Sequence, residues 1–457
     1  MAGCASDGYD PSVLQRLELR HFKSFRRAAL DLGPFTLVVG ANASGKSNLR
    51  DALRVLHGVG LGFSLAEVLG GKVGPGGILQ WRGIRGGTPE IAHQGRGEVG
   101  LSACLTPCAR GRSSDPLEYS LTVDLHDTVR GPRVLEERLS KVRDEGGADE
   151  VYDSRPAKQG KPDQLRLQVP AADQQKGRSR ILSFPSHSPA LRQLGDSGKE
   201  PGWLRHPCTE AASAFAAMRF LDLSPDAMRE PSAPGLTVLG DRGENLSSVV
   251  QAICADGARK AQLLSWVRSL TPMDATDFEF RADLQGRVLL YLREASGQVT
   301  SAFNASDGTL RFLALVAALL SPDSGRFYFF EELDTGIHPT RLHLLLSLIQ
   351  QACRDQGVQV VATTHNPALL TLLDPEARRH AAVAYRLPAT PDTRLRRVME
   401  LPDAERLLTT QDLGRLFASG WLEDAAVFSE PDEQDEHHDG GPAGPMGPET
   451  QAAGVAP

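Results

Sequence analysis

Two hydrophobic periods take turns along the chain, and the changes between them mark its organisation. Over residues 13–19 apolar and polar positions alternate after the first pair, as in a half-exposed strand. Residues 21–26 read as a turn and 28–32 as a second short strand. Phe35-Thr36-Leu37-Val38-Val39 is a nearly unbroken apolar run, the signature of a strand buried on both faces. A helical period follows over 49–56. Residues 58–77 are glycine-rich and predict a loop holding a short helix at 65–69, and 81–87 is dense in Arg and Gly. From about 98 to 200 short alternating runs return, as at 117–125 and 165–169, and predict an antiparallel, mostly β region. Within it 135–142 fits either strand or helix, 173–180 reads as exposed, and 187–207, rich in Pro, Gly and His, reads as a loop. After 208 the spacing predicts helices at 210–218, 246–255 and 259–270, a strand at 219–223, and a hairpin from 277–282 and 287–294. A helix over 310–320, an aromatic strand at 326–330, a helix over 341–354 and a buried strand at 358–364 complete the pattern. Strand, helix, strand in that order predicts a crossover in a parallel sheet. No heptad series is sustained long enough for a coiled coil.

The candidate chemistry begins where the buried run at 35–39 ends. Gly40-Ala41-Asn42-Ala43-Ser44-Gly45-Lys46-Ser47-Asn48 lies between that strand and the helix. Strand, Gly-x4-Gly-Lys-Ser, helix is the P-loop context: backbone N–H groups cradle phosphates, the Lys reaches the terminal phosphates and the Ser hydroxyl meets Mg²⁺. Phosphate hydrolysis also needs an acid near the metal and a group to orient water. The aromatic strand ends in Glu331-Glu332, which gives Glu331 as the metal-side acid and Glu332 as general base. The strand at 358–364 ends at His365, a candidate sensor of the terminal phosphate. In a parallel sheet ligands sit beyond the carboxyl ends of the strands, where Gly40, Glu332 and His365 are all expected. Ser306-Asp307-Gly308 opens the 310–320 helix, a position that can serve as a cap or as an anion site.

Taken together these motifs resemble the ABC-like heads of the SMC, RecF and overcoming-lysogenisation-defect (OLD) ATPases, often classed as AAA-family ATPases. The matches are Gly-Lys-Ser-Asn at 45–48, Asn-Ala-Ser-Asp-Gly-Thr at 304–309, Glu-Glu-Leu-Asp-Thr-Gly-Ile-His-Pro at 331–339, Ala-Thr-Thr-His-Asn-Pro at 362–367 and the opening stretch 17–25. The resemblance covers about 13–95 and 208–390. It implies an α/β fold, a P-loop ABC-type head with a mixed sheet, helices on both sides, an inserted mostly β arm and a helical segment. The units expected are a disordered start (1–12), a lobe with the P-loop (13–97), the insertion (98–207), a lobe with signature, Walker B and His switch (208–390), a C-terminal helical extension (391–429) and a disordered acidic tail (430–457). It further implies ATP and Mg²⁺ as ligands, ATP hydrolysis, and a homodimer in which Ser306, Asp307 and Gly308 of one chain face Lys46 of the other. Ala43 stands where such loops commonly carry Gly, and Glu331 where Asp is usual. Gln80 and Gln94 are both open as the Q-loop residue, and Arg54, Arg82 and Arg85 as phosphate contacts or surface charges.

Composition narrows the role. The 457 residues are 40% hydrophobic and 23% charged, ordinary for a globular chain, and no apolar run approaches a membrane span. Six scattered cysteines predict no disulfide framework and a reducing cytoplasm. Net charge is −7, but the tail from 430 holds seven acids and no Lys or Arg, so the remainder is near neutral. Global charge therefore gives no argument for or against nucleic acid. Three outputs are compatible with such an ATPase: a switch acting on DNA in maintenance or defence against foreign DNA, a regulatory subunit for a separately encoded nuclease, and the motor of a transporter. The insertion, Asn48 and the His-Pro after the acids argue against the last. The stretch after Leu387 is too short for a Toprim nuclease domain.

Overall fold

The structure, a computed structural model, describes residues 14–77, 79–109, 112–113, 115–143, 147–154, 163–170, 179–270, 274–321, 325–388 and 390–430. The expectations for 1–12, for most of 173–180 and for the tail beyond Glu430 lie outside the described residues.

The chain opens with strands β1 (Leu14–Phe22), β2 (Phe25–Asp31) and β3 (Phe35–Val39), then helices α1 (Lys46–Gly60) and α2 (Leu65–Gly70). Six antiparallel strands follow: β4 (Glu98–Leu105), β5 (Leu117–Asp124), β6 (Arg133–Val142), β7 (Ala148–Ser154), β8 (Gln164–Val169) and β9 (Arg180–Pro185). Next come α3 (Leu191–Gly195), α4 (Gly202–Ala216), β10 (Met218–Leu221), α5 (Pro225–Arg229), α6 (Leu246–Cys254) and α7 (Gly257–Leu270). Strands β11 (Ala275–Ala282), β12 (Val288–Glu294) and β13 (Val299–Ser301) lead to α8 (Asp307–Leu320), β14 (Phe327–Phe330), α9 (Leu342–Gln356) and β15 (Gln359–Thr364). The last part holds α10 (Pro367–Thr371), α11 (Pro375–Arg379), β16 (Ala382–Arg386), β17 (Thr393–Arg397), α12 (Ala404–Leu408), α13 (Leu413–Ala418) and α14 (Trp421–Phe428).

A six-stranded sheet, order β10-β14-β15-β3-β16-β17, forms the middle layer; it is parallel except for β17. The period of two along its strands splits them between two cores. Phe35, Leu37 and Val39, with Tyr328, Phe330, Val360 and Ala362, face the core built with α6, α8 and α9. Val38, Phe327, Phe329 and Val361 face the other core, where α1 and α4 pack between this sheet and the antiparallel one. Burial on both faces is why these strands read as continuous apolar runs.

The antiparallel sheet has eight strands, order β9-β8-β7-β6-β5-β4-β1-β2. The 98–207 stretch is thus β-rich as expected, but its strands do not form a separate arm. They continue the sheet begun by the N-terminal hairpin, with Leu17 opposite Ala103 and Leu19 opposite Leu101 across β1 and β4. The 135–142 run, open between strand and helix in the sequence, is a strand. Two local expectations are corrected. The stretch 187–207 holds α3 and the start of α4 rather than only loop, because Leu191, Leu194, Leu204, Cys208, Ala211 and Phe215 recur at helical spacing and are buried, which outweighs the proline and glycine signals. The segment after 390 is not purely helical: β17 runs antiparallel to β16 at the sheet edge.

Two buried polar groups hold these layers. The Gln359 amide accepts from Leu14 N at 2.9 Å and donates to the carbonyls of Leu14 (2.7 Å) and Gly33 (3.0 Å), stitching β1 and the β2–β3 turn to the middle sheet. Glu137, fully buried in β6, accepts from the Tyr119 and Tyr152 hydroxyls (3.1 Å each) and from the backbone N–H groups of Ala190 (2.7 Å) and Leu191 (3.0 Å). Burial pushes its carboxyl above the usual range even against these four bonds.

His57 carries the clearest pH signature. It sits in α1 between the rings of Trp81 (5.2 Å) and Phe220 (5.5 Å), and burial, then Arg54 and Arg219, lower its pKa to about 3. A His depressed on folding contributes stability that is complete above its unfolded value of 6.5 and is lost as pH falls toward the folded value. Between pH 6.5 and 5 the expected loss is about 2 kcal/mol, at about 1.4 kcal/mol per pH unit. Urea unfolding at pH 7.5 and pH 5 should show that drop in the wild type, and His57→Leu should remove most of it; equal pH dependence in both proteins would contradict the assignment.

Candidate functional site

The loop at 40–48 lies at the carboxyl end of β3, where Val39 pairs with Thr364 on one side and Val383 on the other. Its backbone requires two glycines. Gly40 has φ 156° and a Cβ there would lie 2.2 Å from the Ala384 carbonyl; Gly45 has φ 95° and would meet the Thr393 methyl at 2.7 Å. Ala43 also sits in the left-handed region, at φ 63°, which explains why glycine is common at this place and costs an alanine about 1 kcal/mol. Helix α1 starts at Gly45 with no side-chain cap and no acid in its first turn. Its opening N–H groups and positive dipole end are therefore left for an external anion. The buried Ser44 hydroxyl has no partner among the described residues. These features fit a bound phosphate chain.

Ser47 and Glu331, the two residues expected at a metal, are together: Ser47 Oγ donates to Glu331 Oε1 at 2.7 Å. One hydroxyl and one carboxylate, with phosphate oxygens and water, make a donor set suited to Mg²⁺, which takes few protein ligands. Arg85 also reaches this carboxylate, with Nη2 at 2.7 Å from Oε1 and 2.5 Å from Oε2, and Arg50 Nε lies 3.6 Å from Oε2. Burial raises the Glu331 pKa, but the bonds from Arg85 and Ser47 outweigh it and hold the carboxyl below the usual range. Of the three arginines left open by the sequence, Arg85 is the one in the site. Arg54 is buried, with its guanidinium 4.4 Å over Trp81 and 3.0 Å from Asp241. Arg82 is exposed, and its carbonyl accepts from Arg54. Gln80 packs against Gly74.

Glu332 follows at φ 49°, a left-handed conformation that carries strain for a non-glycine residue. The turn is over-determined. Glu332 N donates to Thr363 Oγ1 (3.1 Å), Leu333 N to the Thr363 carbonyl (3.0 Å), and Thr335 Oγ1 to Glu332 Oε2 (3.2 Å). Burial lowers the Lys46 pKa, while the charges of Glu332 and Glu423 oppose that shift. Lys46 Nζ itself donates to the carbonyls of Gly40 (2.6 Å) and Ala41 (2.7 Å).

His365 is exposed at the end of β15. Asp334 fixes the loop that carries it, accepting from Thr364 Oγ1 (2.6 Å) and Asn366 Nδ2 (3.0 Å). Sequence reasoning quoted Asp334 without a role; the acid placed one short turn after a strand-end pair of acids was the available signal. Ser306 caps α8 by accepting from Thr309 N at 3.2 Å, Asp307 is paired with Arg229 at 2.6 Å, and a Cβ on Gly308 would lie 2.5 Å from the Gly336 carbonyl. Among the described residues none of these three contacts the loop at 40–48; Arg229, unmentioned by the sequence reading, holds the aspartate in place. Glu423 is the other residue missed: its Oε1 accepts from Ala41 N at 2.9 Å, across 382 positions of chain.

A family model described as "AAA domain, putative AbiEii toxin, Type IV TA system" matches residues 35–371, well over half of the chain. The chain belongs to this AAA-domain family. The membership agrees with the resemblance carried by its motifs, and the matched span of the AAA domain runs from the P-loop strand to α10. Over 47 residues the AAA-domain chain is 48% identical to the chromosome partition protein Smc of Methanocaldococcus jannaschii, a match covering 10% of this chain and only 4% of that protein's length. Similar solved structures include an Smc head bound to the C-winged helix domain of ScpA (13% identity, TM-score 0.48, 84% of this chain and 97% of that one). An SMC head domain from Thermotoga maritima (13%, 0.39, 84% and 98%) is another. A third, derived from Pyrococcus furiosus, is an Smc head with an extended coiled coil bound to the C-terminal domain of ScpA (12%, 0.42, 87% and 98%). Among the described residues no helix is long and apolar enough to cross a membrane.

Proposed function

We propose that this AAA-domain chain binds ATP with Mg²⁺ at residues 40–48 and hydrolyses it, and that two copies close around the nucleotide as a switch. The reading rests chiefly on the Ser47–Glu331 contact at the carboxyl end of a parallel sheet, with Glu332 next in sequence. The N–H groups of the loop and the Lys46 ammonium bind the phosphates. Ser47 and Glu331 would hold Mg²⁺, which supplies charge neutralisation on the phosphate oxygens. Glu332 accepts a proton from the attacking water; the water oxygen bonds to the terminal phosphorus as the bridging P–O bond breaks, and ADP and phosphate leave. To His365, at the end of β15, we assign the sensing of the terminal phosphate. Ser306, Asp307 and Gly308 make no contact with their own loop, which supports their use toward a second copy.

The switch acts in the cytoplasm, either on DNA in genome maintenance or in defence against foreign DNA. A regulatory subunit for a separately encoded nuclease is the second reading. Lys46→Ala should weaken ATP binding at least about 100-fold, since it removes a charge-assisted partner of the terminal phosphates worth about 3 kcal/mol. Calorimetric titration of folded protein tests this; unchanged affinity would rule out the loop as the ATP site.

A further inference from the structure

The nucleotide loop is already in contact with an anion from its own chain. Glu423 stands in the first turn of α14, and its carboxylate accepts the Ala41 N–H at 2.9 Å. Lys46 feels the charge of Glu423 as it feels that of Glu332. At the same time Arg85, a cation, chelates Glu331 where a metal would bind. A carboxylate on a loop N–H and a guanidinium on the metal-side acid are the internal equivalents of phosphate and of a divalent cation.

The strap that carries Glu423 is tethered at both ends. Asp412 caps α13 and accepts from Thr371 Oγ1 at 2.8 Å, and Gly414 lets α13 lie so close to α10 that a Cβ would come within 2.3 Å of the Pro367 carbonyl. At the far end Arg396 donates to Ser429 Oγ at 2.5 Å, and the Tyr385 hydroxyl bonds Glu430. Between these anchors α14 is eight residues long, enters through Gly420 in the left-handed region, and is held to the core by buried Leu422 and Ala426 with Trp421 and Val427 partly buried beside them. A helix of eight residues with only two fully buried side chains is the kind of segment that local opening can release. The α10 helix, on which the strap leans, begins directly after His365 and Asn366.

We propose that α14 is an internal competitor of nucleotide: Glu423 occupies the phosphate loop in the resting chain, and ATP binds by displacing the strap. The inference rests on the reading of 40–48 as a nucleotide loop. A phosphate in the loop and the Glu423 carboxylate claim the same Ala41 N–H and, both being anions, repel each other, so both cannot stay. A site that is competent only when the strap is off has an apparent affinity reduced by the fraction of strap-off molecules. Entry of nucleotide also frees the face that α14 covers on β16 and removes the support α14 gives to α13, which packs on α10 next to the His365 turn.

Titration of full-length protein with ATPγS and Mg²⁺ tests the idea in wild type and in Glu423→Gln, with Lys46→Ala as the non-binding control. Glu423→Gln keeps the shape and an acceptor but removes the charge, and should bind about ten-fold tighter. Hydrogen exchange on the wild type, which needs no variant, should show amides of 413–428 losing protection at saturating nucleotide. Equal affinities, or unchanged or increased protection, would overturn the competitor while leaving the nucleotide site standing. Absence of binding in both wild type and Glu423→Gln would remove the nucleotide reading and this one together.

Discussion

Glu332→Gln should lower ATP turnover by about 10²- to 10⁴-fold, the usual contribution of a positioned general base. Binding should survive, because the carboxylate is not a ligand of the P-loop. The substitution is nearly isosteric. The amide oxygen can still accept from Thr335 Oγ1, and the N–H of residue 332 still donates to Thr363, so the left-handed turn at φ 49° should persist. What is lost is the ability to take a proton from water. If nucleotide closes two chains on each other, the variant with ATP and Mg²⁺ should run on a sizing column as a two-chain species that wild type forms only transiently. Turnover within a few-fold of wild type would exclude Glu332 as the base. A single-chain species with ATP bound would count against the paired arrangement.

The largest effect on stability is expected at Glu137, far from this site. Glu137→Ala removes the acceptor of two tyrosine hydroxyls and two backbone N–H groups at once, all in the interior between β6 and the start of α3. Buried donors left without partners cost about 1–3 kcal/mol each, and a cavity adds to this, while relief from burying the carboxyl offsets part of it. A net loss of about 4 kcal/mol is expected, seen as a lower urea midpoint at neutral pH. Glu137→Gln retains one acceptor and should lose less. A change under about 1 kcal/mol for Glu137→Ala would mean that water replaces the carboxylate.

What could be read from the sequence was local in its physics. Phe35 to Val39 reads as buried on both faces because it is the centre of a parallel sheet, and 326–330 and 358–364 read similarly because they lie beside it. The same strands carry the motif residues at their carboxyl ends, so Ser47 and Glu331 could be paired in advance although 284 positions separate them. Strand partners were not legible. Nothing in the alternation of 98–105 says that it will pair with 14–20 and enlarge that sheet instead of forming a separate arm. Long-range ionic contacts were hidden for the same reason. Arg85 and Glu423 are ordinary surface charges in sequence, and only the path of the backbone brings one to Glu331 and the other to Ala41. At 187–207 the prolines and glycines outvoted a helical apolar spacing that the neighbouring sheet and α1 reward with burial.

The position of β3 also sets a schedule for making the protein. Its two neighbours in the sheet are β15 and β16, whose pairing residues begin at Val360 and Ala382, more than 320 positions downstream of Phe35. At a synthesis rate of about 5–20 residues per second, the P-loop strand leaves the ribosome tens of seconds before either partner exists. Over that interval an apolar strand with two open edges has to be kept from pairing elsewhere. The antiparallel sheet can assemble first, because β1, β2 and β4 to β9 are complete by Pro185. Loop closure over this distance makes the middle sheet the late, slow step. Truncations or translation pauses before residue 382 should therefore leave the N-terminal sheet folded and the P-loop strand exposed, a form prone to aggregation and to capture by chaperones.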